Sequence, residues 1–176
     1  MNKFDISKLE KSVREVPDFP KPGIKFKDIT PILINPKLLS MSVEALASHV
    51  DSSSIDKIIG IDARGFIFGS LLANLLGKGF IPVRKEGKLP WQTESQAYDL
   101  EYGKSVIEIH KDSIKPGERI LIVDDLLATG GTAEAAVKLV EKLSGTVDSL
   151  IFFIELEFLK GRELLKNTNV KSVLKY

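Results

Sequence analysis

Apolar residues change their spacing repeatedly along this chain, and each change marks an expected element. Ile6, Leu9, Val13 and Val16 recur at helical intervals, so the first stretch reads as a short amphipathic helix. Pro17, Pro20, Pro22 and Gly23 break that pattern, and partial alternation from Ile24 to Ile29 predicts a short extended piece. Asn35-Pro36 has the chemistry of a helix start. Leu38, Leu39, Val43, Leu46, Ala47 and Val50 would form the buried face of the helix that follows.

From there short apolar runs alternate with helical patterns. Strands are expected at Lys57–Ile61, Phe80–Val83, Ser105–Ile109, Ile120–Val123 and Val147–Ile154, with helices at Gly65–Leu76 and Thr132–Leu143. This rhythm predicts an α/β fold with a central, mostly parallel sheet and helices on both faces. Residues 85–104 break it. They are polar, and too long for an ordinary connection, so a mobile lid or a small hairpin is expected there.

Composition narrows the chemistry by exclusion. A length of 176 residues suits a single domain. With 25 Lys+Arg against 24 Asp+Glu, the net charge of +1 gives no bulk attraction to nucleic acid or to an anionic membrane. The chain has no cysteine, and its two histidines, His49 and His110, are too few for a histidine metal cluster. The start of the chain lacks a signal-peptide core, and the apolar run Leu150–Leu159 is interrupted by Glu155 and Glu157. A soluble, cytoplasmic protein is expected.

One string carries most of the chemical information. The apolar strand Ile120–Val123 runs into Asp124 and Asp125, and Ala128-Thr129-Gly130-Gly131-Thr132 then opens a helix. Two glycines let successive backbone N–H groups approach an anion, two threonines add hydroxyl donors, and the helix start carries partial positive charge. Carboxylates at a strand's carboxyl end can accept hydrogen bonds from vicinal sugar hydroxyls. Phosphate donors beside diol acceptors describe a ribose 5-phosphate site. The competing reading is a tight turn in which Asp or Thr merely caps a helix. Other phosphate motifs fail: Gly103-Lys104-Ser105 resembles the end of a P-loop, but Tyr98 stands where the upstream glycine is required.

A second constellation is basic. Asp62-Ala63-Arg64-Gly65 lies at an expected strand end just before a helix, and Arg84, Lys85 and Lys88 cluster at the next strand end. Charge-assisted contacts to a diphosphate are one use for them, and solvated surface charge is the other.

The string Val123–Thr132 resembles the signature of the type I phosphoribosyltransferases. Pro17–Pro20, Pro22–Ile24 with Phe26 and Asp28–Pro31, Ile61–Phe66, Arg84-Lys85 with Gly87–Pro90, Tyr98 with 100–104, and Leu159–Glu163 resemble the adenine-using branch of that family. The resemblance implies a hood of residues 1–34 over a base site, a flexible lid at 85–104, a non-proline cis peptide in the diphosphate loop, and a homodimer. It gives the sugar phosphate to Asp124, Asp125 and Ala128–Thr132. Asp62, Ala63, Arg64, Arg84, Lys85, Lys88 and Tyr102 would hold the diphosphate. Adenine would stack between Phe26 and Leu156, its edge read by backbone groups of Lys25 and Lys27, and Glu101 would manage the purine proton. Taken by residue type alone, Phe26 fits a core position equally well. The implied substrates are adenine and 5-phosphoribosyl 1-diphosphate, with Mg²⁺ held by substrate oxygens and water and without direct protein ligands. An oxopurine transferase on the same fold and a non-catalytic sensor of phosphoribosyl diphosphate are the rival readings. Trp91, at the lid tip, departs from the expected pattern.

Overall fold

The computed structural model describes residues 6–99 and 104–176. Helix α1 (Ile6–Ser12) leads into an antiparallel ribbon of β1 (Arg14–Pro17) and β2 (Lys25–Asp28). The expected first helix therefore stops short: Val16 pairs with Phe26 in the ribbon. A β-branched residue immediately before proline is driven to extended backbone, and this outweighs the helical spacing.

A short α2 (Thr30–Leu33) and then α3 (Pro36–Ala47) follow. Asn35 starts α3 as expected, its side-chain oxygen accepting from the N–H groups of Lys37 and Leu38 at 3.0 and 3.2 Å.

Among the described residues, seven further strands build one sheet: β3 (Lys57–Ile61), β4 (Gly79–Lys85), β5 (Thr93–Asp99), β6 (Lys104–His110), β7 (Arg119–Leu127), β8 (Thr146–Glu155) and β9 (Val170–Lys175). Their order is β5-β6-β4-β3-β7-β8-β9. The five strands from β4 to β9 run parallel, whereas β5 and β6 join antiparallel at one edge. The polar stretch 85–104 thus contributes a hairpin strand, registered from Thr93 opposite His110 to Asp99 opposite Lys104.

Alternation along the central strands explains why the sheet is covered on both faces. Ile59, Ile61, Ile120, Ile122, Leu150 and Phe152 point to one side and meet α5 (Gly131–Lys142) through Ala136, Leu139 and Val140. Ile58, Leu121, Val123, Ile151 and Phe153 point to the other side and meet α3 and α4 (Gly65–Leu76) through Leu46, Phe68 and Leu72. Each fully buried side chain of this kind contributes about 1.5–3 kcal/mol. With α4 on one face and α5 on the other, the chain reverses its winding between β3 and β7. A crevice opens at the carboxyl ends of such a strand pair.

Asp28 ties the two strands of the ribbon together and to the start of α2, accepting from Arg14 Nε at 2.9 Å and from the Thr30 N–H at 2.8 Å. Those bonds, Thr30 foremost, hold the Asp28 carboxyl down to about 2. Because the folded value lies below the unfolded one, the stabilisation is complete above the ordinary carboxylate range and is lost as pH falls towards about 2. Urea unfolding of Asp28→Asn against the parent should give its largest stability difference near neutrality. That difference should shrink steadily below about pH 4; a gap independent of pH would show that Asp28 acts through shape alone.

Candidate active site at the β3–β7 crevice

Ladder pairing between β3 and β7 ends at Gly60 opposite Val123, but β7 continues to Leu127 against β8. Asp124 and Asp125 therefore lie within the overhanging half of β7, and not at its tip as the sequence suggests. They face opposite ways. Asp124 borders a cavity of about 80 Å³ whose wall is the loop Ala128–Thr132, backed by Phe152. This volume suits one phosphate group, and it gathers every expected sugar-phosphate residue except Asp125. Gly130 caps α5 with φ at +89°, in the left-handed region where an L side chain is strained.

Asp125 is 6% exposed and turns towards the other side of the crevice, where the Arg64 Nε lies 2.9 Å from its carboxylate. The Asp125 N–H donates to Asp124 Oδ1 at 2.8 Å, tying the two acids together. Burial, and after it the neighbouring Asp125 charge, push the Asp124 carboxyl well above the usual carboxylate range. Burial also raises Asp125, against the pull of the Arg64 guanidinium. Two crowded carboxyls of this kind gain from any hydroxyl donor or cation that enters beside them. Among the described residues, no group of three or more His, Asp or Glu side chains could hold a metal ion by itself.

The second loop enters from β3. The Asp62–Ala63 peptide is cis, and Arg64 is the cap residue of α4. Gly65 brings that helix start against β7: a methyl group there would sit 2.7 Å from Asp124 Oδ1 and 2.9 Å from the Val123 carbonyl. Asp62 organises the basic cluster, with Arg84 Nε at 3.3 Å and Lys88 Nζ at 3.4 Å from Oδ2. Arg84 also donates to the Lys88 carbonyl at 3.1 Å. Lys85, opposite Ile107 at the end of β4, is exposed. Arg64, Arg84 and Lys88 are thus fixed by crevice carboxylates, which favours a site over a merely solvated surface.

The ribbon supplies the remaining side chains. Phe26 packs edge-on to Phe19 at 5.2 Å and lies 5.5 Å from the Arg64 guanidinium carbon. Lys25, Lys27 and Leu156 instead border a cavity of about 480 Å³ that also has Ile24, Leu159 and Tyr176 in its wall. Phe26 is not part of that wall, since neighbouring residues on a strand face opposite ways. Sequence reasoning missed the groups that hold Lys27: Glu15 at 2.9 Å and the Tyr176 ring, whose centroid is 3.9 Å from Nζ. Nothing local to either residue signals that contact. Glu101 and Tyr102 lie outside the described residues.

A family model of the phosphoribosyl transferase domain matches residues 29–174. The chain is 52% identical to an adenine phosphoribosyltransferase of Acetivibrio thermocellus, over 96% of this chain and 99% of that one. It is similar to the crystal structure of adenine phosphoribosyltransferase from Thermoanaerobacter pseudethanolicus, with a TM-score of 0.94 and 53% identity over 97% of this chain and 99% of the other. It is also similar to the enzyme from Saccharomyces cerevisiae complexed with D-2,5-dideoxy-2,5-imino-altritol 1,6-bisphosphate and adenine. There the TM-score is 0.92, with 42% identity over 96% and 97% of the two chains.

Proposed function

This chain belongs to the adenine phosphoribosyltransferases, and from that premise we propose that it converts adenine and 5-phosphoribosyl 1-diphosphate to AMP and diphosphate in purine salvage. The observation that carries the reading is the phosphate-sized cavity inside Ala128–Thr132, with Asp124 at its mouth and the Asp62–Arg64–Arg84–Lys88 cluster across the same crevice.

In this reading the sugar 5-phosphate enters the Ala128–Thr132 loop and the ribose hydroxyls donate to Asp124, with Asp125 buttressing it from behind. The diphosphate lies along the backbone of 62–64 and against Arg84, Lys85 and Lys88, with Tyr102 joining from the lid. As the bond from C1 of the ribose to the diphosphate oxygen breaks, these cations stabilise the departing charge while N9 of adenine bonds to C1. Glu101, by the family resemblance, takes the proton from N7 or N9 of the purine. The raised Asp124 and Asp125 carboxyls are compatible with Mg²⁺ held mainly by diphosphate oxygens, ribose hydroxyls and water. Bound there, the ion would offset negative charge on the leaving group.

Residues 1–34 act as a hood in this reading, and 85–104 as a flexible lid, on a single domain spanning 1–176. The exposed Leu71 and Leu75 on α4 support a homodimer that covers this face. No described helix is long and apolar enough to cross a membrane, and a cytoplasmic setting fits a salvage enzyme with no nucleic-acid partner. The deciding experiment incubates the full chain with adenine, phosphoribosyl diphosphate and Mg²⁺. AMP and diphosphate should appear in equal amounts, and binding of phosphoribosyl diphosphate without turnover would favour the sensor instead.

A further inference from the structure

We propose that Gly161 is a positioning residue of the phosphate site, the floor on which the loop Ala128–Thr132 rests; this builds on the proposed role of that loop. Gly161 is buried, and it touches the loop backbone to backbone. A methyl group built on it would collide with the Ala128 carbonyl oxygen and stand 3.1 Å from the Gly130 nitrogen. The approach is reciprocal, since a methyl group on Gly130 would collide with the Gly161 carbonyl oxygen.

Neither partner has room to withdraw. Lys160, in the left-handed region at φ +54°, aims Gly161 at the loop. Immediately after it Arg162 is clamped: Nε lies 2.5 Å and Nη2 2.7 Å from the Glu155 carboxylate, and Nη1 donates to the Val170 carbonyl at 2.8 Å. Glu155 is itself 3% exposed and accepts from the Ser172 hydroxyl. On the loop side, the Gly130 carbonyl accepts the Glu134 N–H at 2.9 Å and so is fixed to α5. Any side chain at 161 must therefore displace Ala128–Gly130, whose N–H groups form the phosphate cradle. Gly161 touches the loop from behind and would not contact substrate.

The test compares Gly161→Ala with the parent, as full chains, by calorimetric titration with ribose 5-phosphate and by steady-state kinetics. Misplacing donors by a fraction of an ångström should weaken ribose 5-phosphate binding about tenfold and raise KM for phosphoribosyl diphosphate about as much. KM for adenine should stay within about twofold, because the ribbon is untouched. Ribose 5-phosphate affinity unchanged, or both KM values rising together, would overturn the proposal. If Gly161→Ala does not fold, Arg162→Lys decides, because it keeps the charge but loses the two-pronged grip on Glu155. It should raise KM for phosphoribosyl diphosphate alone by about threefold, and an unchanged value would count against the floor. Failure of the parent chain to bind ribose 5-phosphate would instead sink the functional reading on which the proposal rests.

Discussion

Hypoxanthine should be a poorer substrate than adenine by roughly 10⁴-fold in kcat/KM, the scale on which mispaired buried hydrogen-bonding groups discriminate. Adenine offers a 6-amino donor and an N1 acceptor, and hypoxanthine offers the reverse. Among the described residues, strand β2 pairs only with β1, leaving its other edge without a strand partner. A backbone carbonyl and a backbone N–H there would match adenine and would face like groups on an oxopurine. Side chains at these positions would then leave the preference alone. Lys25, with 72% of its side chain exposed, should be replaceable by alanine without effect. Lys27 is different: its side chain is 15% exposed, held by Glu15 and laid over Tyr176. Lys27→Ala should retain the adenine preference while raising KM for adenine a few-fold, the loss of about 0.5–1 kcal/mol of clamping. Phe26→Ala should damage adenine binding through lost stacking. Comparable kcat/KM for the two bases would reject adenine as the substrate and leave phosphoribosyl transfer standing.

Arg84→Ala and Arg64→Ala should each lower kcat/KM by about one to two orders of magnitude, the loss of one charge-assisted contact to the leaving group. Their stabilities should diverge. Arg84 is tied to Asp62, which keeps Lys88 as a second partner, so the variant should unfold much like the parent. Among the described residues Arg64 is the cation paired with Asp125, and its removal leaves a carboxyl with 6% exposure and no countercharge there. About 1–3 kcal/mol of stability should go with it, because a buried carboxylate loses its ion-pair partner. Denaturant midpoints for the two variants, beside their kinetics, separate these outcomes. Equal stability would mean that Asp125 is simply protonated once Arg64 is gone.

What could be read in advance was what short stretches of chain decide for themselves. The central strands were legible because Ile58–Ile61, Ile120–Val123 and Leu150–Phe153 are apolar on both faces, which few other environments require. The phosphate loop was legible because its glycines, hydroxyls and helix start are contiguous. Strand β9 was not, since Lys171 and Lys175 give Val170–Lys175 the look of surface chain. The pairing of Asp125 with Arg64 was not legible, since sequence cannot reveal that this side chain turns to the α4 cap. That contact depends on β3 and β7 becoming neighbours with three strands between them in the chain. The clamp of Lys27 on Tyr176 joins opposite ends of the described chain and has no local signature at all.

The outer strands of the sheet have a consequence for solubility in a crowded cell. An unpaired strand edge is a template on which other chains can grow, and long, flat, apolar edges are the dangerous ones. Here one end of the sheet is β5, Thr93–Asp99, in which Ala97 and Tyr98 are the only apolar residues, and where Lys142 Nζ occupies the Ser95 carbonyl at 2.7 Å. The other end is β9, where Lys171 and Lys175 interrupt the valines and Lys175 pairs with Glu157 at 2.7 Å. Both termini of the sheet thus place charge where a foreign strand would have to dock. Uncontrolled edge-to-edge pairing of copies through their sheets is thereby disfavoured.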